Sequence, residues 1–283
     1  MKRMSRLPLG QVTLCAVETR VPALAVKSLQ QSMSRADFGR VVLFTHDWLP
    51  RCVLPGIELI DIGPLGSDAD QSEFMLRRLP TYIRSSHVLV TSWDGFVTDT
   101  AAWTDEFLVH DYVGPVWPDA PAGQRVGGGA FSLRSRRLLA AGMDPRITKL
   151  HPEDHMLCGR HRQLLERQHG VSFAPEALAR RFAVGDESVR GPCFGFHGPQ
   201  HLPRVLDEPT VAQWLSLLPG PFYRGAGAQK LVAALLAHGM TTTARELVQH
   251  IHAAGQGDTW TRLLGAVAAL MGMVKPGPAA RPR

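Results

Sequence analysis

The sequence predicts an α/β protein built on a doubly wound, Rossmann-type sheet flanked by helices, with a small helical appendage behind it. Three observations carry this reading. The chain opens as strand, helix, strand and strand, over Gln11–Val17, a helix begun at Pro22, Val41–Thr45 and Ile57–Ile62. A continuous apolar run, Val88-Leu89-Val90, then leads straight into Ser92-Trp93-Asp94-Gly95, as a strand buried on both faces would. After about Leu202 the texture turns Ala- and Leu-rich with helical spacing.

Length and composition set the frame. The chain has 283 residues, is 45% hydrophobic and 20% charged, and so has an ordinary globular composition. No apolar run approaches the roughly 18 residues that would span a bilayer. Met1–Val17 has a basic start and an apolar stretch, but Gln11 interrupts it and Glu18 closes it, which reads as a first strand rather than a leader. The net charge of +6 equals the three cations Lys2, Arg3 and Arg6 plus the three cations Lys275, Arg281 and Arg283. The stretch between is neutral overall, which argues against a nucleic-acid-binding face. Cys15, Cys52, Cys158 and Cys193 are widely spaced without a C-x-x-C pair, which fits reduced thiols in a cytoplasmic protein.

Taken in order, Gln11–Val17 is the first strand and ends at Glu18-Thr19-Arg20. Pro22 suits a first helical position, Leu29, Met33 and Ala36 continue the apolar face, and Gly39 is expected to end the helix. Ser72–Arg84 has helical spacing with a break or kink expected at Pro80. Trp103–Leu108 reads as a short helix, and Asp111–Pro118 as an aromatic, Pro- and Gly-rich loop that lines a pocket or merely caps the core, the pocket being favoured. Gly127, Gly128 and Gly129 enter a strand and allow backbone close to a ligand, or form a flexible bend. Ser135 caps a short helix that stops at Gly142. His151-Pro152-Glu153-Asp154 opens a helix closed by Gly170, its two acids complementing the helix dipole. Val171–Ala174 is a strand, Pro175–Phe182 a helix, and Pro192–Gly198 a last apolar strand carrying His197.

The expected division is a transferase-type domain over 1–204, a helical appendage over 205–274 and a disordered tail over 275–283. Helices are expected at Ala226–His238, Thr242–Ala254 and Thr259–Val274, suited to packing, partner binding or oligomer formation. Gly225–Lys230 lacks both the glycine spacing and the hydroxyl residue of a phosphate loop.

W-D-G at Trp93–Gly95, the turn at Gly127–Gly129, H-P-E-D at His151–Asp154 and F-G-F-H-G at Phe194–Gly198 fall in order. With V-T-L-C-A-V-E-T-R at the start and D-Y-V-G-P-V-W-P in the middle, they resemble a bacterial family of uncharacterised glycosyltransferase-like domains. The resemblance covers about Val12–Gly198 and extends, more distantly, to the GT-A plan of nucleotide-diphospho-sugar transferases.

That resemblance implies a GT-A-like mixed sheet and a set of roles. Asp94 would be the last acid of the D-x-D motif that holds a divalent metal or the donor sugar, with Trp93 beside it. Gly127, Gly128 and Gly129 would approach donor and acceptor, and Glu18, Thr19 and Arg20 would lie by the nucleotide base. Asp154, with Glu153 next to it, would be the base of an inverting reaction, and His197 would complete the metal site. The implied partners are a nucleotide-sugar donor and an acceptor that is a glycan, a lipid-linked sugar or a peptide. The implied cofactor is Mn²⁺ or Mg²⁺, which would neutralise charge on the diphosphate leaving group.

The pattern departs from that plan at Ser92, where the first acid of D-x-D is missing; Asp99 and Asp111 are available substitutes. Two other readings therefore stand beside sugar transfer. One is a degenerate donor-binding module that recruits a partner. The other is a different nucleotide-dependent transferase such as a methyltransferase, which would want a glycine-rich turn where Glu18-Thr19-Arg20 stands.

Overall fold

The computed structural model describes residues 6–187 and 191–255. The chain divides into two units, Met1–His197 and Gly198–Arg283. In the first, β1 (Leu7–Val17), α1 (Pro22–Met33), β2 (Ala36–Thr45) and β3 (Glu58–Asp61) form the parallel start. Then follow α2 (Asp68–Glu73), a wide π turn at Phe74–Arg78, α3 (Leu79–Tyr82) and β4 (His87–Thr91), which pairs with β1 in parallel. After β5 (Gly95–Val97) and β6 (Tyr112–Val113), β7 (Ser132–Ser135) runs antiparallel to both β4 and β6. The mixed six-stranded sheet has the order β3-β2-β1-β4-β7-β6.

Both faces of β1 are covered, as the period-2 geometry of a central strand requires. Leu14 and Ala16 join Leu29, Phe107, Phe131, Phe182 and Phe194 in one cluster. Cys15 and Val17 join Phe44, Phe74, Val88 and Val90 in another. The remaining elements are α4 (Arg136–Ala141), α5 (Glu153–His155), a second π turn at Met156–Arg160, α6 (Arg162–His169) and α7 (Glu176–Phe182). They lead to β8 (Ala183–Val184) and β9 (Gly195–His197), which form a second sheet with β5 in the order β5-β9-β8.

Several expectations change for physical reasons. Gly39 does not end a helix: it lies inside β2, where a Cβ would fall 2.1 Å from the Gly10 carbonyl oxygen, beside the irregularity in β1–β2 register. The helix expected over Ser72–Arg84 starts earlier, at Asp68, because Ser67 and Asp70 form a capping box. At Pro80 the helical path continues, but the α ladder gives way to a wide π turn directly upstream, a local break that accommodates the N–H proline lacks and agrees with the break or kink expected there. The short helix expected at Trp103–Leu108 is a 3₁₀ segment at Asp105–Val109, and Val171–Ala174 contributes one bridge, Tyr112 to Phe173, rather than a strand. Pro152 caps α5 rather than opening it, and the helix through Gly170 is interrupted at His161. Ser135 and Gly142 behave as expected at the two ends of α4.

Among its described residues the second unit is helical: α8 (Leu202–Val205), α9 (Glu208–Leu215), α10 (Ala226–Ala237) and α11 (Thr241–Ala253). Trp214, Leu231, Leu235, Leu247 and Ile251 are buried, and Glu208 accepts from the Thr243 N–H at 2.9 Å. Gly225 to Lys230 form the cap and first turn of α10. The helix expected at Thr259–Val274 and the tail over 275–283 lie outside the described residues.

Candidate functional site

From β1 the chain passes through α1 to β2 on one side, while β4 pairs on the other side of β1. The connection therefore changes direction between β1 and β4, and ligands of open α/β sheets bind at the carboxyl ends of strands at such a point. A crevice of about 200 Å³ opens there, lined by Val17 at the end of β1 and by Val90, Thr91 and Ser92 at the end of β4. Gln71 and Ser72 form another wall, and His151–Asp154 a third. A larger cleft of about 920 Å³ adjoins it, walled by the loop Pro115–Pro121 and by Asp154, His155 and His197. Gly129, Ala130 and Asp154 line both.

Asp154 is held at that junction from two directions. Its Oδ2 accepts the Gly129 N–H at 3.0 Å and its Oδ1 the His155 N–H at 2.8 Å. Glu153 turns the other way and forms an ion pair with Arg134, whose side chain is 1% exposed. Arg134 Nη2 also donates to the Gly129 carbonyl at 3.1 Å and its Nε to Ser132 Oγ at 2.9 Å, with the Tyr112 ring 5.7 Å away. Burial pushes the Glu153 carboxyl up and the Arg134 guanidinium opposes this. Desolvation is the largest influence on the Arg134 guanidinium and works against its charge, but Glu153 together with Tyr112 and Cys158 more than offsets it, so Arg134 stays charged.

Antiparallel pairing of β5 with β9 sets Gly95 opposite His197. Gly95 must be glycine there, since a Cβ would fall 2.6 Å from the Phe196 carbonyl oxygen. Asp94 thereby reaches His197, with 3.7 Å between its Oδ1 and the ring Nε2. The same Oδ1 accepts from Ser92 Oγ at 2.5 Å. Asp94 is buried and His197 half-exposed on the wall of the larger cleft. Among the described residues no group of three or more His, Cys, Asp or Glu side chains is arranged to hold a metal ion. Asp94 and His197 thus offer two donors, and a cation would need further oxygens from its ligand. Asp99 caps Ala101 and Asp111 accepts from Ser135 and Ser172, so both substitutes serve local structure.

The three glycines differ. A Cβ on Gly127 would fall 2.4 Å from the Trp117 ring, so the space a side chain would take is filled by that indole. Gly128 has φ +78 and, with Gly129, lines the larger cleft. Trp117 stacks on His155, ring centroids 4.5 Å apart and planes at 18°. Glu18 accepts from the N–H groups of Arg20 and Val21 at the entry to α1. Arg20 pairs at 2.5 Å with Asp68, which lines the smaller crevice. Glu18, Thr19, Arg20, Trp93, Asp94 and Gly127 are not among the described residues lining either cavity.

Arg134 and Trp117 are the site residues to which the sequence assigned no individual role. Trp117 sits in D-Y-V-G-P-V-W-P, singled out above, and Arg134 in the strand that the Gly127–Gly129 turn enters. The available signal was a cation inside an otherwise buried strand pattern, which demands a buried partner.

A family model described as "Protein of unknown function (DUF5672)" matches residues 57–197. None of the curated proteins matches the chain. Among solved structures, it is similar to the apo form of the glycosyltransferase GlyE of Streptococcus pneumoniae TIGR4, at 13% identity and a TM-score of 0.40 over 65% of this chain. The match spans about half, 53%, of that chain. The mannosyltransferase PcManGT of Pyrobaculum calidifontis, in complex with GDP-Man and Mn²⁺, matches at 12% identity and a TM-score of 0.41, over 96% of this chain and 84% of the other. An active-site mutant of LgtC matches at 12% identity and a TM-score of 0.41, over 73% of this chain and 94% of the other. At these values no residue role passes from those chains to this one. No helix among the described residues is long and apolar enough to cross a membrane.

Proposed function

We propose that the chain is a glycosyltransferase that moves a sugar from a nucleotide-diphosphate sugar to an acceptor hydroxyl, with inversion. The observation that supports this is the junction of two cavities at Asp154. Transfer between two substrates needs two sites that meet at one reacting centre, and a group there able to take a proton. The nucleotide would enter the crevice at the ends of β1 and β4, and its sugar would extend past Gly129 toward the larger cleft. Asp154 would accept the proton of the attacking hydroxyl as the bond to the diphosphate breaks. Glu153, engaged by Arg134, would hold the acid turn in place rather than exchange protons.

Among the described residues the smaller crevice is lined by three acids: Asp68 paired with Arg20, Glu153 paired with Arg134, and Asp154, which accepts only N–H groups. A bare diphosphate entering it meets the Asp154 carboxylate. We therefore favour a donor carried with Mn²⁺ or Mg²⁺, Asp94 and His197 supplying two of its donors and phosphate oxygens others. When bound, such a cation supplies neutralisation of the leaving group. The helices after residue 204 are assigned to packing or oligomerisation rather than chemistry.

A second reading, a donor-binding module without turnover, is favoured by Ser92, which stands at the first-acid position and occupies Asp94 Oδ1. A thermal-shift screen of nucleotide-diphosphate sugars, with and without Mn²⁺, tests both, because a ligand that binds the native state raises its apparent stability. The transferase reading expects a cation-dependent shift with one donor class, followed by nucleotide release when an acceptor is added. A shift without release supports the binding module, and no shift with any donor removes both.

A further inference from the structure

We infer that the His151 ring holds the leaving group, its Nε2–H donating to the β-phosphate of a nucleotide donor in the smaller crevice. Ser72 is the positioning residue that sets which ring nitrogen carries the hydrogen. The inference rests on the transferase reading, and it gives a role to the first residue of H-P-E-D, which that reading leaves unused.

His151 and Ser72 belong to two different walls of the crevice, the acid turn and α2. They meet at 2.9 Å, between the ring Nδ1 and Ser72 Oγ. Ser72 is buried and His151 exposed, so the ring is anchored at one nitrogen and open to a ligand at the other. Among the described residues neither side chain has another hydrogen-bond partner. Were Nδ1–H to donate to Oγ, the buried hydroxyl hydrogen would be left without an acceptor there. The Ser72 hydroxyl therefore donates to Nδ1, and the ring hydrogen sits on Nε2. A protonated ring carries a hydrogen on both nitrogens, so Nε2 presents an N–H in either state.

Placement decides what this N–H meets. His151 stands on the turn that ends in Asp154, where crevice and cleft join, so its ring lies by the part of a donor next to the reacting bond. That part is the diphosphate, whose ionised oxygens accept hydrogen bonds and cannot donate them. In transfer, the acceptor oxygen bonds to the anomeric carbon as the bond from that carbon to the β-phosphate oxygen breaks. The electron pair stays on the phosphate oxygen, and the acceptor proton passes to Asp154. A hydrogen bond aimed at that phosphate in advance strengthens as this charge develops. A cation at Asp94 and His197 takes only some of the phosphate oxygens and leaves others for such a donor.

The test is calorimetric titration of the full chain with the diphosphates and monophosphates of uridine, guanosine, cytidine, adenosine and thymidine, in Mn²⁺. At least one diphosphate should bind. His151→Ala should weaken it about tenfold or more, and the matching monophosphate, which lacks the β-phosphate, by no more than about threefold. His151→Phe, which keeps a ring but no N–H, should do the same. The ratio of diphosphate to monophosphate affinity is read within each variant, so a general loss of stability does not imitate the effect. Ser72→Ala should lower that ratio about threefold, and should not lower it further in the His151→Ala chain. A wild-type ratio in either His151 variant overturns the inference. So does a Ser72→Ala effect that is absent or that persists without His151, or failure of every diphosphate to bind. Should nucleotide sugars still shift the melting temperature in any of these cases, this inference falls and the transferase reading stands.

Discussion

The Gly129 N–H donates to Asp154 Oδ2 at 3.0 Å, tying the glycine turn to the acid turn where the two cavities meet. The other oxygen, Oδ1, accepts the His155 N–H, so the carboxylate is oriented before a substrate arrives. A general base held this way needs no reorganisation to take a proton.

Asp154→Asn should therefore change two observables together. An amide accepts at only one of these positions, and its NH₂ faces an N–H donor at the other, so stability should fall by about 1–3 kcal/mol. Donor affinity should stay near wild type while transfer slows by about 10²-fold or more, because only the transition state needs the proton acceptor. Melting temperature, donor binding and turnover on this variant check both. Wild-type turnover would move the base elsewhere.

Arg134 is charged, 1% exposed and paired with Glu153. Removing one partner leaves the other charge buried, so Arg134→Met should cost about 3–5 kcal/mol in urea unfolding. Arg134→Met with Glu153→Leu removes both charges and should recover much of that loss. A double variant that folds and still turns over would also show that Glu153 is not the base.

The sequence made β1 and β4 legible because they are apolar runs that must be buried on both faces. The two- and three-residue strands β5, β6 and β8 are too short to leave a pattern, and Val171–Ala174 reads as a strand but makes one bridge. The sequence made Ser135 and Gly142 legible because helix ends are satisfied locally. It did not make Gly39 legible, since glycine serves equally as a helix stop and as a gap for a neighbouring strand, and the neighbour here is Gly10. Asp94 and His197 were both singled out, but their 3.7 Å approach depends on β5 pairing with β9 across a long stretch of chain. Arg134 escaped for the same reason: its partner Glu153 comes from another element, and spacing along the chain carries no mark of that contact.

Asp94 and His197 face each other without a third metal-type donor among the described residues. If they share a cation with the donor phosphates, His197→Ala should raise the Mn²⁺ concentration needed for half-maximal donor-induced stabilisation by about tenfold. Asp94→Ala should abolish that stabilisation while the melting temperature without donor stays within a few degrees. Titrating Mn²⁺ at fixed donor in the thermal-shift assay measures both. Full donor binding by wild-type protein in excess chelator would remove the cation and leave the transferase reading intact.

Asp61, at the end of β3, accepts from the Gly63 N–H at 2.9 Å, from the Asp47 N–H at 3.1 Å and lies 3.1 Å from His46 Nδ1. The Gly63 and Asp47 backbone donors, then His46, bring its carboxyl down to about 2. A lowered value means that this contribution to stability is fully present above the ordinary carboxylate range near 4 and is lost as pH falls through about 2. Asp61→Asn should consequently lower the melting temperature at pH 6, and the gap to wild type should close as both are taken toward pH 2. Parallel melts across that range decide it, and a pH-independent gap would mean that shape alone, not charge, matters at Asp61.

Gly127 and Trp117 form the remaining test, and it needs no substrate. A methyl group on Gly127 would fall 2.4 Å from three atoms of the Trp117 ring, too close for either to keep its place. The ring also stacks on His155, so moving it disturbs the wall of the larger cleft. Gly127→Ala should therefore destabilise by about 1–3 kcal/mol through overpacking. If the clash is with the indole, Gly127→Ala combined with Trp117→Val should cost less than the sum of the two single changes, with a coupling of about 0.5–3 kcal/mol. Strain of the backbone at Gly127 would instead give additive losses, since shrinking Trp117 could not relieve it. A double-mutant cycle by urea unfolding separates the two, and additivity would mean that the glycine is required by the backbone and that Trp117 merely occupies the space beside it.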